Sequence, residues 1–163
     1  MEIDWTKLFA LQHELDSRIM KKHCLTGDFF SERLLALQVE VGELANETRC
    51  FKYWSVKPPS HRSEILEEYV DGIHFILSLG LVLRFETYVP KRDSCNVKNM
   101  VEQFLTIYNC ISKLHSDQSI EMYGTLFSEY ITLGAMLGFS EQDIEKAYLE
   151  KNVVNHERQE RGY

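Results

Sequence analysis

The chain has 163 residues, of which 44% are hydrophobic, and its formal net charge is −7. This length and apolar content predict one domain over residues 1–163 with a substantial core, and they exclude a disordered or low-complexity chain. The acidic balance argues against a nucleic-acid partner, because affinity for a phosphate backbone comes largely from Lys and Arg.

Apolar residues at helical spacing, with few Gly and Pro, predict an all-α bundle of five to six helices. In chain order, the expected helices cover about 4–22, a second segment ending near 51, then about 64–85, 97–114, 119–137 and 140–160. The clearest loop runs from Lys52 to Ser63 and contains Pro58-Pro59. Ser140 is the expected N-cap of the last helix, because acids follow it in the first turn.

Nothing in the sequence predicts a membrane span or a secretory signal. The longest apolar run, Ile73 to Leu83, is far shorter than the roughly 20 residues that a membrane helix needs. The N-terminal segment carries acids where a signal peptide has bases. The four cysteines, at 24, 50, 95 and 110, have no paired spacing, and we expect them to be reduced and buried in a cytoplasmic protein.

Two pairs of acids are the most informative motif. Glu40 and Glu43 lie about one helical turn apart, as do Glu68 and Asp71, so each pair shares a helix face. Apolar neighbours on both helices would hold these carboxylates near a packed surface, where an unpaired charge is unfavourable. Oxygen ligands suit Mg²⁺ or Mn²⁺, and the lack of a Cys and His cluster argues against structural zinc. Spacing alone leaves a metal site and ordinary solvated acids equally open.

A second polar face lies on the last helix. Lys151, Asn155 and Arg158 follow one another at helical intervals and so present two cations and an amide on one side. This face suits phosphate groups, although cations near a helix C-terminus are also favourable on a solvated helix.

Together these residues resemble the dimeric dUTPase family, within the all-α nucleoside triphosphate pyrophosphatases that also include MazG-like enzymes. The family pattern is E-x-x-E on one helix and E-x-x-D on the next, as at 40–43 and 68–71. The resemblance extends over nearly the whole chain through four further blocks: LQHELD (11–16), FKYWSVKPP (51–59), VDGIHFILS (70–78) and YLEKNVVNHERQERGY (148–163).

The resemblance implies Mg²⁺-dependent hydrolysis of dUTP to dUMP and pyrophosphate, which keeps uracil out of DNA, with dUDP as a second candidate substrate. Glu40, Glu43, Glu68 and Asp71 would hold two or more Mg²⁺ ions, for which Mn²⁺ could substitute, and Glu43 or Glu40 would orient and deprotonate the attacking water. The implied substrate contacts are Gln12, Asp16, Lys52, Trp54, Lys57, His74, Phe75, Lys151, Asn155 and Arg158.

Three of these contacts have competing explanations from the residues alone. Trp and Phe side chains such as Trp54 and Phe75 pack in a core more often than they contact a ligand, and His74 can be an ordinary histidine on a helix. Asp16 stands where some relatives carry Asn, and a carboxylate lacks the donor that an amide would offer to uracil.

The resemblance also implies a homodimer with the active site near or across the subunit boundary. Apolar residues of the fourth and fifth helices predict the same, because they exceed what a small monomeric bundle needs. These residues are Phe104, Leu105, Ile107, Tyr108, Ile111, Leu126, Phe127, Tyr130 and Leu133.

Three alternatives remain at the level of sequence. The first is an enzyme of the same superfamily that acts on dCTP or modified nucleoside triphosphates, which only the base pocket would distinguish. The second is a di-iron carboxylate bundle, for which Asp71 with His74 is the single acid-x-x-His unit. The third is a helical interaction protein in which the acids only add solubility.

Overall fold

The computed structural model describes residues 2–92 and 98–162, and within these ranges it contains six α-helices and no strand. The all-α prediction is therefore confirmed. The helices are α1 (Trp5–Lys22), α2 (Phe30–Thr48), α3 (Arg62–Leu83), α4 (Met100–Ser116), α5 (Ile120–Met136) and α6 (Glu141–Glu160).

The helix ends follow local backbone chemistry. Ser140 caps α6 as predicted, accepting a hydrogen bond from the Asp143 amide, and Asn99 caps α4 in the same way through the Glu102 amide. Helix α2 ends earlier than predicted, because Arg49 adopts a left-handed conformation with φ of 58°. The predicted start of the fourth helix at Val97 lies outside the described residues.

Helix α3 is the central element and packs against α1, α2, α5 and α6. Seven of the nine apolar residues that suggested excess hydrophobic surface lie in the core of the single chain: Phe104, Ile107, Ile111, Leu126, Phe127, Tyr130 and Leu133. Leu105, by contrast, is 63% exposed. The sequence argument for a dimer from these seven residues is therefore wrong, since packing between helices of one chain already buries them.

Two tyrosines and two glycines fix α3 against α5. The Tyr69 hydroxyl donates to the Tyr130 carbonyl at 3.1 Å, the Tyr130 hydroxyl donates to the Tyr69 carbonyl at 2.9 Å, and the rings stack with centroids 4.8 Å apart. A Cβ at Gly72 would overlap the Tyr130 ring, and one at Gly134 would overlap the Tyr69 ring. Glycine at both positions thus permits the close approach that holds the helix carrying Glu68 and Asp71.

None of the described helices is long and apolar enough to cross a bilayer. The prediction that all the cysteines are buried is wrong for Cys24, which is exposed in the turn after α1, whereas Cys110 is buried as expected and Cys50 is half-buried. Cys95 lies outside the described residues.

Candidate active site

The packing of α2 on α3 brings both acid motifs together. Glu40, Glu68 and Asp71 each offer a carboxylate oxygen, and these three atoms lie within 4.8 Å of one another. All three side chains are half-buried, while Glu43 is exposed beside them and its carboxyl group shares a hydrogen bond with that of Glu40. The predicted acidic residues are thus neighbours in space, with Glu43 on the solvent side.

Burial and the closeness of the acids make ionisation of these carboxyl groups unfavourable. Burial, the hydrogen bond that the protonated Glu40 carboxyl group donates to Glu43 and the surrounding carboxylates raise the pKa of Glu40 to about 8. Burial and the charges of Asp71 and Glu43 raise the pKa of Glu68 to about 7. Glu40 Oε2 and Glu68 Oε2 are buried and have no hydrogen-bond partner among the described residues. These oxygens fit a hard cation, which would supply both the missing ligand contacts and the opposite charge.

Lys151 brings a positive charge to the cluster from α6. Its Nζ lies 3.1 Å from Asp71 Oδ2 and 2.9 Å from Glu67 Oε1. Burial still raises the pKa of Asp71, although the Lys151 charge opposes that rise. No sequence motif predicted Glu67 or this pairing, because the two partners lie on different helices, 84 positions apart in the chain.

A pocket of about 530 Å³ opens beside the cluster, a size suited to a nucleotide. The predicted site residues that line it are Gln12, Asp16, Glu40, Asp71, His74, Phe75, Lys151, Asn155 and Arg158. Lys52, Trp54 and Lys57 do not line it in this chain. Trp54 is 64% exposed in the loop after α2, where it contacts the rings of Phe51 and Tyr53.

A polar network occupies the wall between α1, α2 and α3. Asp16 Oδ2 accepts hydrogen bonds from Arg33 Nη1 at 3.1 Å and from Ser78 Oγ at 2.6 Å, and Asp16 Oδ1 accepts one from Gln12 Nε2 at 2.9 Å. Arg33 and Ser78 also line the pocket, and Arg33 donates to Ser78 as well. No sequence motif pointed to Arg33, whereas Ser78 falls in the VDGIHFILS block.

His74 lies deeper in the same wall. Its ring stacks on Tyr148 with centroids 4.1 Å apart, and its Nδ1 lies 2.7 Å from Gln12 Oε1, which also accepts a hydrogen bond from the Tyr148 hydroxyl at 2.8 Å. Burial and the nearby Lys151 charge lower the pKa of His74 to about 3, so the ring is neutral at physiological pH. The pocket thus has an acidic end at α2 and α3, a basic face on α6, and an amide and imidazole wall.

A family model for dUTPase matches residues 4–163. The chain belongs to the all-α dUTPase family. It is a dUTP diphosphatase, a hydrolase that converts dUTP to dUMP and pyrophosphate, and enzymes of this family use a divalent metal. A search of curated proteins gave no match. The predicted family is confirmed, and membership removes the di-iron and interaction-protein alternatives.

Proposed function

We propose that this dUTP diphosphatase is a Mg²⁺-dependent homodimer in which Glu40, Glu43, Glu68 and Asp71 hold the metal at one end of the pocket. The observation that supports this most directly is the pair of buried oxygens, Glu40 Oε2 and Glu68 Oε2, that lack partners beside Asp71. Among the described residues, the cluster contains carboxylates and no His or Cys, a ligand set that favours Mg²⁺ or Mn²⁺ over zinc.

The metal and the protein side chains would have separate roles in hydrolysis. When bound, a divalent cation activates water and offsets the charge of the phosphate groups. Glu43 is exposed and tied to Glu40 through a shared hydrogen bond, so this pair is suited to orienting the attacking water and accepting its proton.

The basic face of α6 would bind the phosphate chain. Lys151, Asn155 and Arg158 line the pocket on the side facing the acids. In the absence of substrate, Lys151 neutralises part of the acidic cluster through Asp71 and Glu67. With a cation held beside Asp71, the flexible ammonium group of Lys151 would move from Asp71 to a phosphate oxygen and contact it there.

The base and sugar would occupy the remaining wall. Phe75 lines the pocket and is half-buried, so its ring face is available to the nucleotide. Gln12 and His74 lie on the same wall and supply polar groups. This arrangement supports a base end at α1 and α3, opposite the phosphate face of α6.

Exposed apolar residues on α2 and α4 support a homodimer. Leu35 and Val39 lie one turn apart on α2 and are 62% and 52% exposed, and Val101 and Leu105 form an equivalent pair on α4. The two helices are in contact here, since the Tyr108 hydroxyl donates to the Gln38 carbonyl at 3.1 Å. A second copy of the chain would cover this surface.

The loop after α2 fits a role at the subunit boundary. Tyr53, Trp54 and Val56 are strongly exposed and lie outside the pocket of their own chain. In a dimer they could reach the partner's pocket, which would bring Lys52, Trp54 and Lys57 to the substrate as the family resemblance implies. The acidic net charge supports the prediction that nucleic acid is no partner.

Pyrophosphate release from dUTP, dUDP, dCTP, dTTP and UTP, each with Mg²⁺ and with EDTA, tests the proposed chemistry. We expect release from dUTP that requires Mg²⁺. Equal activity in EDTA would refute the metal site, and a preference for dCTP would replace the substrate while retaining the site.

Light scattering tests the dimer. We expect a dimeric mass at micromolar protein concentration and a monomeric mass for Leu35→Asp combined with Leu105→Asp. Val153→Asp, an equally exposed apolar position on α6, is the matched control and should stay dimeric. A monomeric wild-type protein would refute the dimer.

A further inference from the structure

The hydrogen-bond chain around Asp16 determines which way the Gln12 amide faces. Asp16 pairs with Arg33 at 3.1 Å and also accepts a hydrogen bond from Ser78, so its carboxyl oxygens serve as hydrogen-bond acceptors. Gln12 lies 2.9 Å from Asp16 Oδ1 and must therefore turn its NH₂ group toward the carboxylate. The opposite orientation would place the amide oxygen against a carboxylate oxygen.

The orientation of Gln12 in turn determines the tautomer of His74. Gln12 Oε1 faces His74 Nδ1 at 2.7 Å and Tyr148 Oη at 2.8 Å. An amide oxygen accepts hydrogen bonds and cannot donate, so the Nδ1 atom of the imidazole carries the proton. Because the buried ring is neutral, Nε2 is left with a lone pair and no proton.

This Nε2 atom is a buried acceptor without a donor. It has no hydrogen-bond partner among the described residues, although His74 is only 5% exposed and lies in the pocket wall. Nearly all buried polar atoms in folded proteins are paired, so an unpaired acceptor in the wall of a substrate pocket points to a ligand that completes it.

We propose that Asp16 and Gln12 are positioning residues that hold His74 as the Nδ1–H tautomer, so that Nε2 accepts a hydrogen bond from the bound nucleotide. The inference rests on the proposed binding of dUTP in this pocket. A deoxyuridine nucleotide has two suitable donors, the uracil N3–H and the deoxyribose 3′-hydroxyl. If the donor is N3–H, the same arrangement disfavours cytosine, whose N3 is itself an acceptor.

Asp16 can act in base selection in this way without contacting uracil. Its carboxylate is already occupied by Gln12, Arg33 and Ser78. The absence of an amide donor at this position is therefore no obstacle to base selection. The atom that selects the base is His74 Nε2, and His74 is connected to Asp16 through two hydrogen bonds and the Gln12 amide.

Nitrogen-15 NMR of the imidazole tests the tautomer without turnover. We expect free wild-type protein to show His74 with a protonated Nδ1 and a bare Nε2, and the Nε2 resonance to move to lower frequency when α,β-imido-dUTP and Mg²⁺ are added. An Nε2–H tautomer, or an Nε2 resonance unchanged by the bound analogue, would overturn the proposal. The spectrum of the free protein stands even if dUTP hydrolysis proves metal-independent, so the two ideas fail separately.

Variants of Asp16 test the positioning role. Asp16→Asn has a single acceptor oxygen, which Arg33 and Ser78 occupy, so its NH₂ group should face Gln12, reverse that amide and shift His74 to the Nε2–H tautomer, whereas Asp16→Ala should give a mixture of the two. A single Nδ1–H tautomer in a folded Asp16→Ala protein would remove Asp16 from the proposal. If that variant does not fold, an unchanged Nδ1–H tautomer in Asp16→Asn would have the same meaning.

Steady-state kinetics identify the donor. His74→Asn keeps a donor where Nδ1 stood but has no atom at Nε2, and we expect its KM for dUTP to rise roughly tenfold with a smaller change in kcat. N3-methyl-dUTP tests the uracil donor, and 2′,3′-dideoxy-UTP tests the sugar donor. The analogue that lacks the relevant donor should bind weakly to wild type and no more weakly to His74→Asn. Equal KM values for wild type and His74→Asn with all three substrates would refute the hydrogen bond.

Discussion

Buried polar atoms are hydrogen-bonded on one side of helix α3 and lack partners on its other side. Toward α5, the hydroxyls of Tyr69 and Tyr130 are buried and each donates to a carbonyl across the interface. Toward α2 and α6, Glu40, Glu68 and His74 each bury an atom without a partner, and the one other such atom in the described residues belongs to Asn152, next to Lys151. Since unpaired buried polar atoms are unfavourable for folding, the first side contributes to stability, and the second is the side on which we propose that metal and substrate bind.

The largest expected effect comes from Glu40→Gln. It should lower turnover of dUTP more than about 100-fold, because changes even to the groups that support metal ligands typically reduce affinity or activity by roughly 10- to 100-fold. Thermal unfolding without metal should show equal or greater stability, since the change relieves repulsion among the carboxylates. Glu150→Gln, on the exposed side of α6, is the control and should change neither property. Near wild-type turnover by Glu40→Gln would place the metal elsewhere.

On the opposite side of α3, Gly134→Ala should affect stability alone. The added Cβ would overlap the Tyr69 ring, and we expect a loss of about 1–3 kcal/mol in the free energy of unfolding, measured in urea, with KM for dUTP unchanged. Gly42→Ala is the matched control, because its Cβ would meet only the Tyr108 hydroxyl at 3.1 Å and alanine favours the helix. A large rise in KM for Gly134→Ala would mean that the two sides of α3 are not separable.

Lys151→Met should raise the affinity for Mg²⁺ and lower the turnover of dUTP. Removing the cation that lies 3.1 Å from Asp71 leaves the cluster more negative, so Mg²⁺ should bind more tightly by calorimetry. Turnover should fall by roughly tenfold, because a phosphate contact is lost. Lys146→Met, on the exposed face of the same helix, is the control. A fall in both quantities would make Lys151 part of the metal site itself.

The smallest expected effect is the pH dependence of stability without metal. The raised pKa values of Glu40 and Glu68 stabilise the folded chain below 4.5, their ordinary value, and this contribution is lost as pH rises through about 7 and about 8. His74 acts in the other direction, since its lowered pKa favours folding above 6.5 and disfavours it below. The carboxylates therefore dominate between about pH 6.5 and 8, where the melting temperature should fall as pH rises.

Two changes should flatten that fall in melting temperature. Glu40→Gln removes one of the two titrating carboxylates, and added Mg²⁺ should restore stability at the upper end of the range. A melting temperature of metal-free wild-type protein that rises over this pH range would contradict the raised pKa values of Glu40 and Glu68.

The sequence was sufficient for the helices and for the acid pairs, because both depend on periodicity within one segment. The cap at Ser140 and the shared faces of Glu40 with Glu43 and of Glu68 with Asp71 are local properties of this kind. Their convergence at one site followed from the family resemblance and not from spacing.

The contacts that escaped prediction join segments far apart in the chain. Lys151 meets Glu67 across 84 positions, and Ser78 meets Asp16 across 62. Periodicity on one helix carries no information about which face of another helix it meets, so neither contact could be read from the pattern. The loop residues Lys52, Trp54 and Lys57 remain a prediction, since their own chain keeps them outside the pocket.

The contact between α1 and α6 has a consequence for the order of folding. Arg18 meets His156 across 138 positions and His23 meets Gln159 across 136, so the first and last helices form two walls of the pocket. Closing so long a segment carries a larger entropic penalty than forming a local helix pair, and non-local contacts of this kind form slowly. Amide hydrogens of the last turns of α1 and α6 should therefore exchange with solvent sooner than those at the centre of α3. A nascent chain would gain its carboxylate cluster before it gains a complete substrate pocket.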